Sequence, residues 1–315
     1  MLIIAINVDI PFIMNKYLVT IVGPTGIGKT ALAIKIAQHF NTEIISADSR
    51  QFFKEMKIGT AVPETEELNA AKHHFIQHIS IKDPYSVGEF EKEAIDKLDN
   101  LFESHNILVM AGGSGLYVNA VLQGLDDFPP IEEGIRDNLS QDLENYGIEH
   151  LQNQLKERDP EYAKIVDLNN PQRVLRALEV CISSEKPYSS FLAKNKVKRN
   201  FKAIKIGLTA DRQLIYDRIN RRVDIMLEKG LEEEARKLHE LKHLNALQTV
   251  GYKELFEYFE GKTDLETAVT EIKKNTRRFA KRQLTWYRKD PNINWFDYDI
   301  SEKEIIKMIK EKTSQ

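Results

Sequence analysis

The sequence predicts an α/β protein: a parallel sheet flanked by helices, with an inserted all-helical domain and a helical C-terminal region. Three observations carry the prediction. An apolar run, Tyr17-Leu18-Val19-Thr20-Ile21-Val22, leads into a glycine-rich loop and then into helix-forming Ala31–Ala37. Two further short apolar runs, Glu43–Ser46 and Ile107–Met110, end in polar or glycine-rich clusters. Residues 126–198 show helical spacing and no convincing strand. Short apolar runs bounded by turn residues read as buried strands, and 3.6-residue periodicity reads as helix.

The first loop is Gly23-Pro24-Thr25-Gly26-Ile27-Gly28-Lys29-Thr30. It matches G-x-x-x-x-G-K-[ST], the phosphate-binding P-loop, in the strand–loop–helix context that the motif requires. The expected sheet is therefore of the P-loop NTPase-like kind. The glycines let successive N–H groups turn toward an anion at the helix N-terminus. Lys29 adds a point charge, and the Thr30 hydroxyl can ligate Mg²⁺. The loop predicts a polyphosphate ligand without naming it.

The second strand runs into Asp48-Ser49-Arg50-Gln51, and the strand at Ile107–Met110 into Gly112-Gly113-Ser114-Gly115. Open α/β sheets bind ligands beyond the carboxyl ends of their strands. The latter strand lacks the terminal acid of a nucleotide hydrolase, which counts against a simple ATPase. Between these strands, His73–Ile79 reads as a short strand. Its histidines lack a third ligand at recognisable spacing, so a structural role is favoured. Ser86-Val87-Gly88-Glu89 is a capping box opening a helix to about Phe102.

Pro129-Pro130 marks a boundary. Beyond it, Pro160 and Pro171 punctuate at least three short helices, before Phe201–Leu208 returns as a strand. The expected domains are therefore residues 14–125 with 201–315, and a helical insertion at 126–200. From Asp211 the chain reads as helical, interrupted at Gly230. Ile272–Lys289 holds eight Lys or Arg and no acid. Ile272, Phe279 and Trp286, seven apart, form a stripe expected to pack on the core. The flanking cations suit a phosphate backbone. Lys186–Lys205 holds seven cations and no acid, a solvated face by default.

The bulk numbers permit this and exclude other classes. A chain of 315 residues, 42% hydrophobic and 30% charged, suits about two globular domains. Net charge is −3, so nucleic-acid binding must come from local patches. A single cysteine, Cys181, excludes an internal disulfide and reads as a small core residue. Apolar residues 1–13 are too short to span a membrane and lack a signal peptide's basic start. They are expected to be a disordered extension, with Met14-Asn15-Lys16 a more natural start. No later run reaches membrane-spanning length, and the expected location is the cytoplasm.

Several stretches now combine in order: Gly23–Thr30, Asp48–Gln51, Met56–Ala61, Gly112–Tyr117, Gln172–Glu179, Val250-Gly251-Tyr252 and Thr276–Arg288. Together they resemble the tRNA dimethylallyltransferases, the bacterial tRNA isopentenyltransferase family, from Met14 to about Asp299. The resemblance implies transfer of a dimethylallyl group from dimethylallyl diphosphate to N6 of the adenine 3′ of the anticodon, in tRNAs reading codons beginning with U. It implies Mg²⁺ dependence, a monomer, and a helical insertion that grips the anticodon stem-loop. It assigns Gly23, Pro24, Thr25, Gly26, Ile27, Gly28, Lys29 and Thr30 to the diphosphate, Thr30 to the metal, and Arg222 to the same diphosphate. It implies tRNA contacts at Asp48, Ser49, Arg50, Gln51, Ser114 and Arg136. The remaining implied contacts are Gln172, Arg173, Val174, Leu175, Arg176, Gly251, Tyr252, Lys281, Arg282, Gln283, Thr285, Trp286 and Arg288. The chain departs from the family at Ser114, where threonine is usual, at Phe53 for tyrosine, and at Val62 for lysine.

The chemistry asks for these groups. Breaking an allylic C–O bond requires stabilising diphosphate as it leaves. The adenine amine is a weak nucleophile that must lose a proton, and Asp48 is the carboxylate placed to take it. Its rival role is a water-mediated Mg²⁺ ligand. A stacked base must flip out to reach such a site. Arg173 and Arg176 could instead pair with Glu179, and Arg222 could be a surface ion pair. The competing functions are an isopentenyltransferase acting on free AMP, ADP or ATP, a P-loop kinase, and a non-catalytic tRNA-binding protein.

Overall fold

The computed structural model describes residues 15–192 and 197–314, so the expected extension at 1–13 lies outside the described residues. In chain order the elements are β1 (Tyr17–Val22), α1 (Lys29–Phe40), β2 (Ile44–Ser46), α2 (Thr65–Ala70), β3 (His73–His74), α3 (Val87–Leu101), β4 (Ile107–Ala111) and α4 (Gly115–Gln123). Then come α5 (Ile135–Arg158), α6 (Pro160–Ala163), α7 (Pro171–Ser184), β5 (Lys202–Thr209), α8 (Arg212–Glu228), α9 (Leu231–Leu238), α10 (Tyr252–Phe259), α11 (Leu265–Tyr287), β6 (Asn294–Asp297) and α12 (Glu302–Thr313). The strands form one parallel sheet in the order β3-β2-β4-β1-β5-β6.

β1 sits between β4 and β5 and is buried along its whole length. A central parallel strand is covered on both faces, which is why its sequence is a continuous apolar run. Val19 and Ile21 pack on one face with Ile36, Ile206 and Ile219. Leu18 and Val22 pack on the other with Phe90, Leu98 and Met110. A third cluster, around Leu231, Tyr252, Leu255 and Ile272, joins α9, α10 and α11. These layers set the carboxyl ends of β1, β2 and β4 side by side.

The chain divides into two compact units, Met1–Leu122 with Arg199–Gln315, and Gln123–Lys198. The second unit is built on Leu139, Leu151, Leu155, Val174, Leu175 and Leu178. Cys181 is buried there, and burial raises its thiol pKa.

Five expectations are corrected. The strand expected over His73–Ile79 is only two residues long, because Phe75 (φ 63°) and Gln77 (φ 46°) turn the chain into left-handed conformations. The C-terminal region is not purely helical: β6 joins the sheet by pairing Asn294–Asp297 with Ile206–Thr209. The insertion's helices are not all short, since α5 has 24 residues and breaks at Gly147. The Ile272 stripe is only partly core, for Phe279 and Trp286 remain 38% and 39% exposed. Finally, the cation runs are partly compensated from elsewhere. Arg199 pairs with Glu91 and Lys205 with Asp290, both at 2.5 Å. Lys273 pairs with Asp224 at 2.5 Å and Lys274 with Glu271 at 2.8 Å.

Candidate active site

The loop after β1 ends at Gly28, which begins α1 with φ 111° and no side-chain cap. A side chain at that φ would be strained. The uncapped first turn leaves its N–H groups for an anion. Lys29 Nζ donates to the Pro24 carbonyl at 2.9 Å. Burial pulls the Lys29 ammonium down to about 8, against the charge of Asp48 and with the help of Arg222. Arg222 is partly buried, and burial lowers its pKa too, opposed by Asp48 and Glu67. The Thr30 hydroxyl makes no hydrogen bond among the described residues.

Asp48 lies two residues past the end of β2, and its Oδ1 accepts the Arg50 N–H at 3.2 Å. Beside it, the Ser114 hydroxyl accepts the Ser49 N–H and bonds the Ser49 hydroxyl, both at 3.0 Å. This ties the end of β2 to the end of β4. Two cavities of about 780 Å³ each open here. One is lined by Gly28, Lys29, Thr30 and Arg221. The other is lined by Ser49, Ser114, Phe279, Arg282 and Trp286. Thr25, Asp48, Arg222 and Met226 line both. One wall with a carboxylate, a guanidinium and the edge of an anion loop therefore serves two chambers.

The residues expected to touch RNA fall into three groups. Lys281, Arg282, Thr285 and Trp286 are exposed on α11, and Arg288 is exposed at its C-cap. Among the described residues Lys281, Arg282 and Arg288 have no carboxylate partner, and Arg282 lies over the Phe279 ring. In the helical unit, Arg136 pairs with Glu179 at 2.5 Å and donates to Gln172 at 2.6 Å. Arg176 meets the same buried Glu179 at 3.4 Å and covers the Phe128 ring. Arg173 is exposed on α7 without an acidic partner among the described residues.

The third group is engaged within the protein, although Arg50, Gly251 and Gln283 also line the chamber beside Ser49, and Gln51 the one beside Lys29. Val174 and Leu175 are buried in the helical unit's core, so their side chains cannot present to RNA. Tyr252 is fully buried and its hydroxyl donates to Glu234 at 2.7 Å, while buried Gly251 caps α10. Gln51 is buried and donates to the Thr60 and Ala61 carbonyls. Arg50 is committed to the carbonyls of Asn245 and Ala246. Gln283 is buried and bridges two loops of the site.

Sequence reasoning missed Glu234 and misplaced Phe279. The Glu234 carboxylate accepts the N–H groups of Lys57, Ile58 and Gly59 at 2.8–3.1 Å, holding the loop that runs along both cavities. Three acids stand together in the first turn of α9, and nothing local says which turns inward. His74 bonds Glu43 at 2.5 Å, a structural partner. Among the described residues no group of three His, Cys, Asp or Glu could hold a metal, and no helix is long and apolar enough to cross a membrane.

Fold and site define a P-loop α/β protein whose anion loop abuts a carboxylate shared by two chambers. A family model described as IPP transferase matches residues 51–290. The tRNA dimethylallyltransferase of Christiangramia forsetii is 65% identical, over 95% of this chain and 99% of that relative. The one from Cytophaga hutchinsonii is 48% identical over 90% of this chain and 93% of its own. The solved tRNA isopentenylpyrophosphate transferase of Bacillus halodurans aligns with TM-score 0.70 and 38% identity, covering 95% of this chain and 97% of that one. A eukaryotic dimethylallyltransferase solved acting on tRNA aligns with TM-score 0.81 and 26% identity, over 95% and 80%. The chain belongs to the IPP transferase family.

Proposed function

We propose that the protein transfers a dimethylallyl group from dimethylallyl diphosphate to N6 of the adenine 3′ of the anticodon, in tRNAs reading codons beginning with U. The observation that carries this reading is the wall shared by the two chambers, with Asp48 between the anion loop and the α11 side. The donor's diphosphate would lie on the uncapped start of α1, against Lys29 and Arg222. Its allylic C–O bond breaks, and the electron pair leaves on a diphosphate oxygen. The flipped adenine enters from the other chamber, its N6 bonds the allylic carbon, and Asp48 takes the N6 proton.

The donor set fits Mg²⁺ brought in with the diphosphate: Thr30 offers a free hydroxyl, and no all-protein cage exists among the described residues. Bound there, Mg²⁺ would neutralise charge on the leaving diphosphate. We place the reaction in the cytoplasm, with one chain supplying every group named, and we read the helical unit as the grip on the anticodon stem-loop through Arg136, Gln172, Arg173 and Arg176. The test is labelled dimethylallyl diphosphate, Mg²⁺ and tRNA from a strain lacking the modification, with AMP and ATP as rival acceptors. Label is expected in tRNA alone. Label on AMP or ATP, or ATP hydrolysis without transfer, would overturn the reading.

The charges make two outcomes measurable. Replacing Lys281 and Arg282 with Ala should weaken tRNA binding and flatten its salt dependence, by roughly one unit of slope for each phosphate left without its cation. An unchanged slope would leave α11 a solvated face. Separately, an ammonium lowered to about 8 is partly neutral at mildly alkaline pH, whereas bound diphosphate favours its charged form. The bound state then holds more protons. Its affinity advantage is full below about 8, declines as pH rises above that value, and is lost once pH passes the higher pKa of the diphosphate-bound ammonium. Calorimetry in buffers of different ionisation enthalpy should detect proton uptake on donor binding near pH 8, and little near pH 6.5. Equal uptake at both would remove Lys29 as the group responsible.

A further inference from the structure

The geometry points to Gln283 as a positioning residue that aims Lys29 at the diphosphate from the helix that faces RNA; the inference rests on the functional reading above. Gln283 lies on the buried side of α11, opposite exposed Lys281 and Arg282. Its side chain is 6% exposed. Its carbonyl accepts the Thr25 N–H at 2.8 Å, and its amide donates to the Gly113 carbonyl at 3.0 Å. Each partner is far away in sequence, so these bonds are tertiary choices.

The Thr25 N–H and the Pro24 carbonyl belong to one peptide unit. The carbonyl end receives Lys29 Nζ at 2.9 Å, and the N–H end is held by Gln283. A peptide unit is planar, so fixing one end fixes the direction of the other. Gln283 thus sets the angle of the acceptor that orients the buried ammonium. The amide's carbonyl accepts from Thr25 while its NH2 donates to Gly113, so one side chain of this length makes both bonds at once.

The glycine cluster after β4 is explained by the same contact. A Cβ on Gly113 would fall 2.3 Å from Gln283 Nε2 and 3.8 Å from Lys29 Nζ. A Cβ on Gly115 would fall 2.4 Å from the Trp286 ring. The missing side chains let α11 lay Gln283 and Trp286 directly onto the site. One helix therefore serves both substrates, cations outward for RNA and an amide inward for the donor loop.

Q283M removes both hydrogen bonds at similar volume. It should weaken donor binding by about tenfold, the scale of one or two lost hydrogen bonds, and lower the single-turnover rate. Affinity for tRNA and its salt slope should stay at wild-type values. Q283E keeps the acceptor for Thr25 and so retains the peptide clamp and the fold. Its added carboxylate faces the diphosphate site and should weaken diphosphate binding by charge repulsion while the melting temperature stays near wild type. The probes are dimethylallyl diphosphate and inorganic diphosphate, with melting temperature followed throughout. Wild-type donor affinity in Q283M, loss of tRNA affinity by the same factor, or wild-type diphosphate affinity in Q283E would each overturn the assignment. If the wild-type protein binds inorganic diphosphate but transfers no dimethylallyl group, the functional reading fails while the clamp is still tested.

Discussion

Asp48→Asn should slow single-turnover dimethylallyl transfer by about 10²–10⁴-fold, roughly 3–5 kcal/mol, while donor and tRNA affinities stay near wild type. Asparagine keeps the shape and can still accept the Arg50 N–H that Asp48 Oδ1 accepts at 3.2 Å, but it cannot take a proton from N6. The substitution therefore separates proton transfer from architecture. A carboxylate that held Mg²⁺ through water would behave differently: the variant would bind donor poorly and recover at raised Mg²⁺. A Mg²⁺ titration of both the rate and the donor affinity distinguishes these. Near-normal transfer at ordinary Mg²⁺ would exclude Asp48 from the chemistry.

What the sequence made legible here is what local rules govern. The strand before the P-loop, the helix after it and the Ser86 capping box all appear where short-range chemistry places them. So does Asp48 beyond β2, because strand ends follow from where an apolar run stops. The four residues of β6 were not legible: Asn294-Trp295-Phe296-Asp297 is polar at both ends and is a strand only because β5 offers an edge. The Ile272–Phe279–Trp286 stripe was read correctly as one face, since seven residues bring a helix nearly full circle. What that face meets was not written in the spacing. Ile272 is buried in the core at the edge of the chamber beside Asp48, while Phe279 and Trp286 are left partly exposed along that chamber. Gln283 shows the same limit in reverse. Its motif does not say that its side chain turns inward to bond Thr25 and Gly113.

Lys29→Ala should reduce transfer by at least about 100-fold, close to 3 kcal/mol, by analogy with loss of one preorganised donor to a developing anion. The location of Lys29 makes the prediction more specific than that analogy. Its ammonium is desolvated enough to lie near 8 before any ligand arrives, so in the free protein the charge is held at a cost. Alanine removes that cost together with one hydrogen bond to Pro24, and the two changes oppose each other. The unliganded melting temperature should therefore change little, within a few degrees. The stabilisation conferred by diphosphate should fall sharply, since ligand-linked stability follows RT ln(1 + [L]/Kd). Thermal melts with and without dimethylallyl diphosphate, beside single-turnover rates, measure both halves. A variant that melts like wild type, keeps its donor-induced shift and transfers at more than a tenth of the normal rate would show that the loop's N–H groups and Arg222 hold the leaving diphosphate without Lys29.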